Sequence, residues 1–310
     1  MADLSLFFSP EVLQEARLVA ELENKLMQLS ESNYDEVFTF IKESVFIENE
    51  TRIKQLANHI IFGLSKRYMT IPLYSKLTCD LYDLRLEVLS NDTSNIQQAL
   101  SSLHTVFFPI IIPSNVDSRT LYFLYFCVVG SLFSAIDIIN ILHDSLEKEP
   151  DHISELLTLF CFFAPEVEEL DPNLFELFIQ TIKLESQNVY CQPYVRQFCN
   201  EMDDLCSDNW ALLKSRRETM TSGDIIIDSL FTDSLDDFQN VVSHSPHFDL
   251  NQNINESIFS PPHMFSKTLI QFAARCGSAK CFKFLLLNKA DLHEAVDSAI
   301  IGGNNEIVRL

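Results

Sequence analysis

Two stretches near the C-terminal end of the chain share one pattern. Residues 268–277 and 294–303 align without a gap at an offset of 26 residues. In this alignment an apolar, an alanine and a glycine position coincide: Ile270 with Val296, Ala273 with Ala299, and Gly277 with Gly303. A second apolar stretch follows the glycine in each copy. Such a repeat predicts helical hairpins that stack, because one short hairpin cannot bury its apolar face alone.

The residue types explain how each hairpin is built. Alanine at 273 and 274 lets a first helix approach its neighbours closely, and Gly277 can adopt the left-handed backbone that ends this helix. A second helix follows and supplies an apolar face for the next hairpin to cover. Its apolar residues are Cys281, Phe282, Phe284, Leu285 and Leu286.

This pattern resembles the ankyrin repeat, T-P-L-H-x-A-A-x-x-G followed by an apolar helix and a G-A-D turn. The chain matches it at Thr268, Ile270, Ala273, Ala274, Gly277, Ala290 and Asp291. It departs from the pattern at Leu269, Gln271 and Lys289, and its period is below the usual length of about 33 residues. We therefore expect a repeat at 266–292, a partial repeat at 293–310 and a degenerate unit at 224–251, in which 233–242 form a helix.

The shortened period and the phrases LIQFAARCGSAKCFKFLLLNKADL and AIIGGNNEIVRL also resemble an uncharacterised protist family of divergent ankyrin-repeat proteins. These proteins carry an N-terminal helical domain of unknown function. The resemblance implies a scaffold that binds a protein partner, with no assigned chemistry and no cofactor. Its concave face would present Gln271 and Arg275, and its shortened turn would present Lys289 and Asp291.

Residues 1–220 have helical signals throughout, which predict an all-α array, either a bundle or an irregular solenoid. Ser9 before Pro10 predicts a first helix at 10–29, and Asp171 before Pro172 repeats this capping signature. Thr51 is predicted to cap a helix, and Pro72 and Asp151 each indicate a helix start. The prolines at 109 and 113 indicate where a helix ends.

One uncharged segment, residues 120–136, needs a separate explanation. Its 17 residues fall short of the roughly 20 that a membrane-spanning helix requires, and no cluster of basic residues flanks it. We expect a buried helix there rather than a span. The N-terminus has no secretory signal, which favours a cytoplasmic protein.

The charge of the chain limits its partners. Its 44 acidic and 22 basic residues give a net charge of −22, which disfavours binding to nucleic acid. Eleven acidic residues and two lysines lie between Asp144 and Glu185, either as a solvated surface or as a dock for a basic partner. The eight cysteines lack zinc spacing, which indicates buried thiols and no metal.

No catalytic motif is recognisable, and six glycines are too few for a phosphate-binding loop. Two functions remain open: an interaction scaffold, or an adaptor that recruits substrates to a larger assembly such as a ubiquitin ligase. A hydrolase ranks third. Because the sequence stops within a second helix, we also expect further repeats or a partner to cover three apolar residues there, Ile307, Val308 and Leu310.

Overall fold

The computed structural model describes residues 8–87, 94–111, 117–148, 153–188, 193–254, 257–259, 268–292 and 294–310. Within these ranges the chain is all-helical, and the only bridge between extended segments joins Asn253 and Thr268. The all-α class is therefore confirmed. Contacts divide the chain into two compact units, Met1–Pro113 with Phe126–Phe133, and Ser114–Tyr125 with Ser134–Leu310. The division expected between the helical array at 1–220 and the repeats after it lies inside the second unit, and a functional division there stays a prediction.

The first unit is built around α3, which contacts α1, α4, α5 and α6. Its core includes Leu22, Ile41, Ile53, Ile60 and Leu81, all of which are fully buried. The helices in chain order are α1 (Pro10–Met27), α2 (Tyr34–Lys42), α3 (Glu50–Lys66), α4 (Ile71–Glu87), α5 (Ser94–Ser101) and α6 (Leu103–Ile111).

Most expected helix starts in this unit are correct. The Ser9 hydroxyl accepts a hydrogen bond from the Val12 N–H at 3.4 Å, so α1 begins as the sequence indicates. The predicted cap of α3 is wrong by two residues, because the side chain of Asn49, and not that of Thr51, accepts from the Arg52 N–H. The helix expected after Ser94 is interrupted at Ser102, and its second part, α6, ends between the two prolines.

The uncharged segment at 120–136 forms two helices and not one. They are α7 (Ser118–Val129) and α8 (Ala135–Lys148), and α8 belongs to the second unit. The Ser134 N–H donates to the Asp137 carboxylate at 2.7 Å, while the Ser134 hydroxyl accepts from the Asp137 N–H at 3.3 Å. This reciprocal cap starts a new helix. No helix in the described ranges has the length and apolar character needed to cross a membrane.

The second unit contains the remaining helices. Helix α9 contacts α8, α10 and α11, and the later helices form the hairpins described below. In chain order they are α9 (Ile153–Leu170), α10 (Pro172–Glu185), α11 (Pro193–Thr219), α12 (Ile225–Phe231), α13 (Leu235–His244), α14 (Leu269–Cys276), α15 (Ala279–Leu287), α16 (Ala295–Gly302) and α17 (Asn305–Arg309). Helix α11 is interrupted at residues 207–210, which have non-helical backbone angles.

The sequence predicts two aspartate caps in this part of the chain, at Asp151 and Asp171. The Asp171 carboxylate accepts from the Leu174 N–H at 3.0 Å, which confirms the cap of α10. That backbone bond, together with His143, lowers the pKa of Asp171. Asp151, the other expected cap, lies outside the described residues.

Two basic residues at the end of α11 form ion pairs with glutamates of the same unit. Arg217 is almost fully buried, and its two Nη atoms donate to the Glu166 carboxylate at 2.9 Å each. Its neighbour Arg216 donates to Glu201 at 2.6 Å. These cations are therefore internal ion-pair partners.

Candidate functional site

Three consecutive helical hairpins end the chain: α12 with α13, α14 with α15, and α16 with α17. The first helices contact one another in the order α12, α14, α16, and the second helices in the order α13, α15, α17. Ala273 and Ala299 are both buried at the same place on α14 and α16. Gly277 and Gly303 end these helices with φ of 77° and 69°, the left-handed geometry expected of them.

The contact between α14 and α16 depends on small residues. Ala295, Ser298 and Ala299 are buried on one side of α16. Gly302 continues this side, and a Cβ atom placed on it would lie 2.3 Å from the Arg275 carbonyl oxygen. Because that atom belongs to the backbone, a side chain at 302 could not be accommodated without moving a helix.

Side-chain hydrogen bonds also join successive hairpins. The Asp233 carboxylate, in the turn between α12 and α13, accepts from the N–H groups of Lys280 and Cys281 at 3.0 Å each. It thereby caps α15 of the next hairpin. Asn304 donates through its side-chain amide to the Gly277 carbonyl at 3.1 Å and caps α17 through its Oδ1 atom.

Two pairs of corresponding positions on α14 and α16 have opposite exposure. Ile270 is fully buried, whereas its repeat counterpart Val296 is 61% exposed. Ala274 is fully buried, whereas its counterpart Ile300 is 60% exposed. Val296 and Ile300 are four residues apart and therefore share one side of α16, opposite the side that packs on α14. We call Val296, Ile300 and the half-exposed Ile301 the α16 face.

Gln271 was expected on an exposed concave surface, but it is buried. Its Oε1 atom accepts from the Thr268 N–H at 3.1 Å, which caps the first turn of α14. All residues from Leu269 to Ala274 are buried, so α14 has no open concave face. Gln271 thus stabilises its own helix and is not available to a partner.

The other expected site residues lie at two places. Lys289 and Asp291 are exposed on the turn after α15, where Lys289 has φ of 63° in place of the usual glycine. The Asp291 N–H donates to the Asn251 side chain at 2.8 Å, which joins this turn to the previous hairpin. Arg275 lies apart from them in the last turn of α14. Partner binding by these three residues stays a prediction.

Arg275 has an unusual environment. Its side chain is half-buried, and its Nη1 atom is buried with no hydrogen-bond partner. Burial, and then the nearby guanidinium of Arg119, lowers the pKa of Arg275. This influence of Arg119 on the pKa of Arg275 has no signal in the sequence, because the two residues are 156 positions apart.

The cysteines of the hairpins do not form a reactive site. Burial raises the pKa of both Cys276 and Cys281 to about 12, so these thiols are protonated at neutral pH and are poor nucleophiles. In the first unit, a hydrogen bond from the buried Cys127 lowers the pKa of Cys79. No group of three or more potential metal ligands occurs within the described ranges.

The end of the last hairpin is only partly as expected. Ile307 is already buried, so the expectation that a further repeat or a partner must cover it is wrong. Val308 and Leu310 are exposed. The exposed apolar residues of the last hairpin therefore lie on both α16 and the end of α17.

Comparison of the chain with protein-family models, with curated proteins and with solved structures finds no match. Function must therefore be argued from the site itself.

Proposed function

We propose that this chain is a non-enzymatic scaffold that binds a protein partner through divergent ankyrin-type hairpins. The observation that carries the proposal is the α16 face, where the adjacent side chains of Val296 and Ile300 are exposed to solvent. Single exposed apolar residues are common on protein surfaces, but adjacent large ones are typical of interaction sites. The glycine ends of α14 and α16 and the order of helix contacts support the ankyrin assignment.

The energetics of the α16 face favour an interaction. Burying a branched aliphatic side chain is worth about 1.5–3 kcal/mol, so two such residues can contribute a large part of the affinity of a modest complex. The internal side of α16 is already occupied by α14. A partner on the α16 face therefore need not disturb the contact between hairpins.

The test is quantitative affinity purification with three versions of the tagged chain. The first is unchanged, the second carries Val296→Gln and Ile300→Gln, and the control carries Leu177→Gln and Leu184→Gln on α10, whose side chains are also exposed. We expect proteins that co-purify with the first and the control to be depleted about tenfold or more with the α16 variant.

Thermal unfolding must first establish that the three versions are folded. The same interactors at the same levels in all three would overturn the proposal, because the α16 face would then contribute no affinity. An equal loss with the control variant would also count against it, since this would indicate a nonspecific apolar effect.

A further inference from the structure

A polar cavity lies between the first part of α11 and the turn that precedes α12, both in the second unit. Its volume is about 500 Å³, which is within the range of ligand-binding pockets in proteins. One wall is the α11 face that carries Gln197, Asn200 and Glu201, and the opposite wall is the turn at 222–224. Among the described residues that line the cavity, Ile227 is the one large apolar side chain. The cavity therefore suits a ligand that makes hydrogen bonds.

Internal bonds hold the two walls of the cavity in place. The Glu201 carboxylate accepts from the Gln197 amide at 2.9 Å and from the Arg216 guanidinium at 2.6 Å. The same guanidinium lies against Gly223, since a Cβ atom placed on this glycine would be 2.6 Å from the Arg216 Cζ atom. On the other wall, the Asp228 carboxylate accepts from the Gly223 N–H at 3.1 Å. The cavity is thus formed before a ligand binds, which lowers the entropic cost of binding.

Two side chains at the cavity have unused hydrogen-bonding groups. Asn200 is exposed, and its amide makes no hydrogen bond within the described part of the chain. Asp224 accepts from the N–H groups of Ile226 and Ile227 with its Oδ1 atom, at 2.9 and 3.4 Å, while its Oδ2 atom has no partner among the described residues. An asparagine amide offers a donor beside an acceptor, which matches the N–H and C=O groups of a peptide backbone. A free carboxylate oxygen binds most strongly to a cationic donor.

The charges at the cavity favour a cationic ligand. Glu201 is paired with Arg216, so its carboxylate is already neutralised. The other charged groups that line the walls or bond to them, among the described residues, are Asp224 and Asp228 against Arg196, which leaves one net negative charge. The whole chain has a net charge of −22, and a field of this sign attracts cations and repels anions. The local charge therefore has the same sign as the charge of the whole chain.

We propose that this cavity binds an extended segment of a protein partner that carries a lysine or arginine side chain. The Asn200 amide pairs with a backbone N–H and C=O of the segment, and Asp224 accepts from the basic side chain. A phosphorylated or acidic segment would be repelled by Asp224 and Asp228, and a mainly apolar ligand would find only Ile227. This inference deepens the interaction function proposed above and rests on it, because it adds a second place at which a partner is recognised.

The test is a titration of the full chain with short peptides, followed through the asparagine side-chain ¹⁵N–¹H signals in NMR spectra. The probes are acetyl-Gly-Lys-Gly-amide and acetyl-Gly-Arg-Gly-amide, with acetyl-Gly-Gln-Gly-amide as the neutral control and acetyl-Gly-Glu-Gly-amide as the control of opposite charge. The Asn200 signal is assigned by its loss in Asn200→Ala. All titrations are made at one ionic strength.

We expect at least one of the two basic peptides to shift the Asn200 signal saturably, with a dissociation constant on the order of 1 mM. The glutamine peptide should bind about tenfold more weakly, because it lacks the charge that Asp224 accepts. The glutamate peptide should cause no saturable shift. No saturable shift with either basic peptide would overturn the proposal, and so would a control peptide that binds as tightly as the basic ones.

Two variants at Asp224 separate its binding role from its structural one. Asp224→Asn and Asp224→Ser remove the charge but keep a side chain that can cap α12, so the thermal midpoint should stay close to that of the unchanged chain. Both should weaken the basic peptide about tenfold. The control is Asp236→Asn, which removes the charge of an exposed aspartate on α13 and should leave binding unchanged. Undiminished binding by both folded Asp224 variants, or an equal loss with the control, would contradict the proposal.

The two proposals can fail separately. The purification experiment changes the α16 face and leaves the cavity intact, whereas the peptide titration needs no partner. Loss of interactors from the α16 variant, together with no peptide binding, would leave the scaffold function standing and remove only the cavity as a binding site.

Discussion

Helices α14 and α16 occupy the same place in successive hairpins, yet one is enclosed and the other is open. Both end at a left-handed glycine and both bury an alanine at the same position. The face that carries Ile270 and Ala274 on α14 is fully buried, and the corresponding face on α16 carries Val296 and Ile300 in solvent. The repeat therefore determines local geometry, while the surroundings decide whether a face is core or surface.

One pair of positions on the two faces also differs in side-chain size. The enclosed helix has the small Ala274 where the open helix has the larger Ile300. Solvent exposure alone gives no reason for a large apolar residue at the open position. The exposure of Val296 and Ile300 is why we place the partner on α16 and not on α14.

The largest expected effect compares Ile270→Ala with Val296→Ala. Ile270 is fully buried, so its truncation should lower the free energy of unfolding by about 2–5 kcal/mol. Val296→Ala should change it by less than about 0.5 kcal/mol, because the side chain is mostly in solvent. Urea denaturation followed by circular dichroism measures both. Equal losses would remove the contrast between the two helices.

The next effect concerns the adjacent glycines at the end of α16. Gly302→Ala places a Cβ against the Arg275 carbonyl, and we expect a loss of about 1–3 kcal/mol as the two helices separate. Gly303 has open space around it, so Gly303→Ala should lose only about 1 kcal/mol from its left-handed backbone. The same denaturation experiment measures the loss in free energy of unfolding for both variants. A larger loss for Gly303→Ala than for Gly302→Ala would contradict close packing of α14 on α16.

A smaller effect is expected from the bonds between hairpins. Asp233→Ala removes the acceptor of two α15 N–H groups and should cost about 1–2 kcal/mol. Asp236→Ala is a matched control, because Asp236 lies in the first turn of α13 and is an exposed aspartate. Thermal melts of the two variants give the comparison. If Asp233→Ala and Asp236→Ala were destabilised equally, the Asp233 cap would make no specific contribution to stability.

The smallest effect on stability is expected from the binding variant itself. Val296→Gln with Ile300→Gln should leave the free energy of unfolding within about 0.5 kcal/mol of the unchanged chain, because both side chains are exposed. A loss above about 1 kcal/mol would show that the α16 face is part of the core and would weaken the proposed function.

Local signals in the sequence predicted local structure well. The serine and aspartate caps before Pro10 and Pro172 begin helices as expected, and the 26-residue offset identifies two equivalent hairpins. Capping and glycine geometry involve residues within one turn of each other, which is why one sequence is sufficient to find them.

Properties that depend on distant residues were not predictable. Gln271 was assigned to an open surface because periodicity shows which residues share a face but not what covers that face. The break after Val129 was missed because an uncharged run gave no sign that Ser134 and Asp137 form a reciprocal cap. The effect of Arg119 on the pKa of Arg275 was not predictable, because the two residues are 156 positions apart in the sequence.

The Asp233 cap has a consequence for how this part of the chain folds. The N–H groups of Lys280 and Cys281 find their acceptor in the preceding hairpin, so the first turn of α15 is complete only after that hairpin has formed. Amide hydrogen exchange at these two positions should therefore follow the opening of the turn between α12 and α13. The start of α15 therefore depends on a hairpin that is synthesised before it.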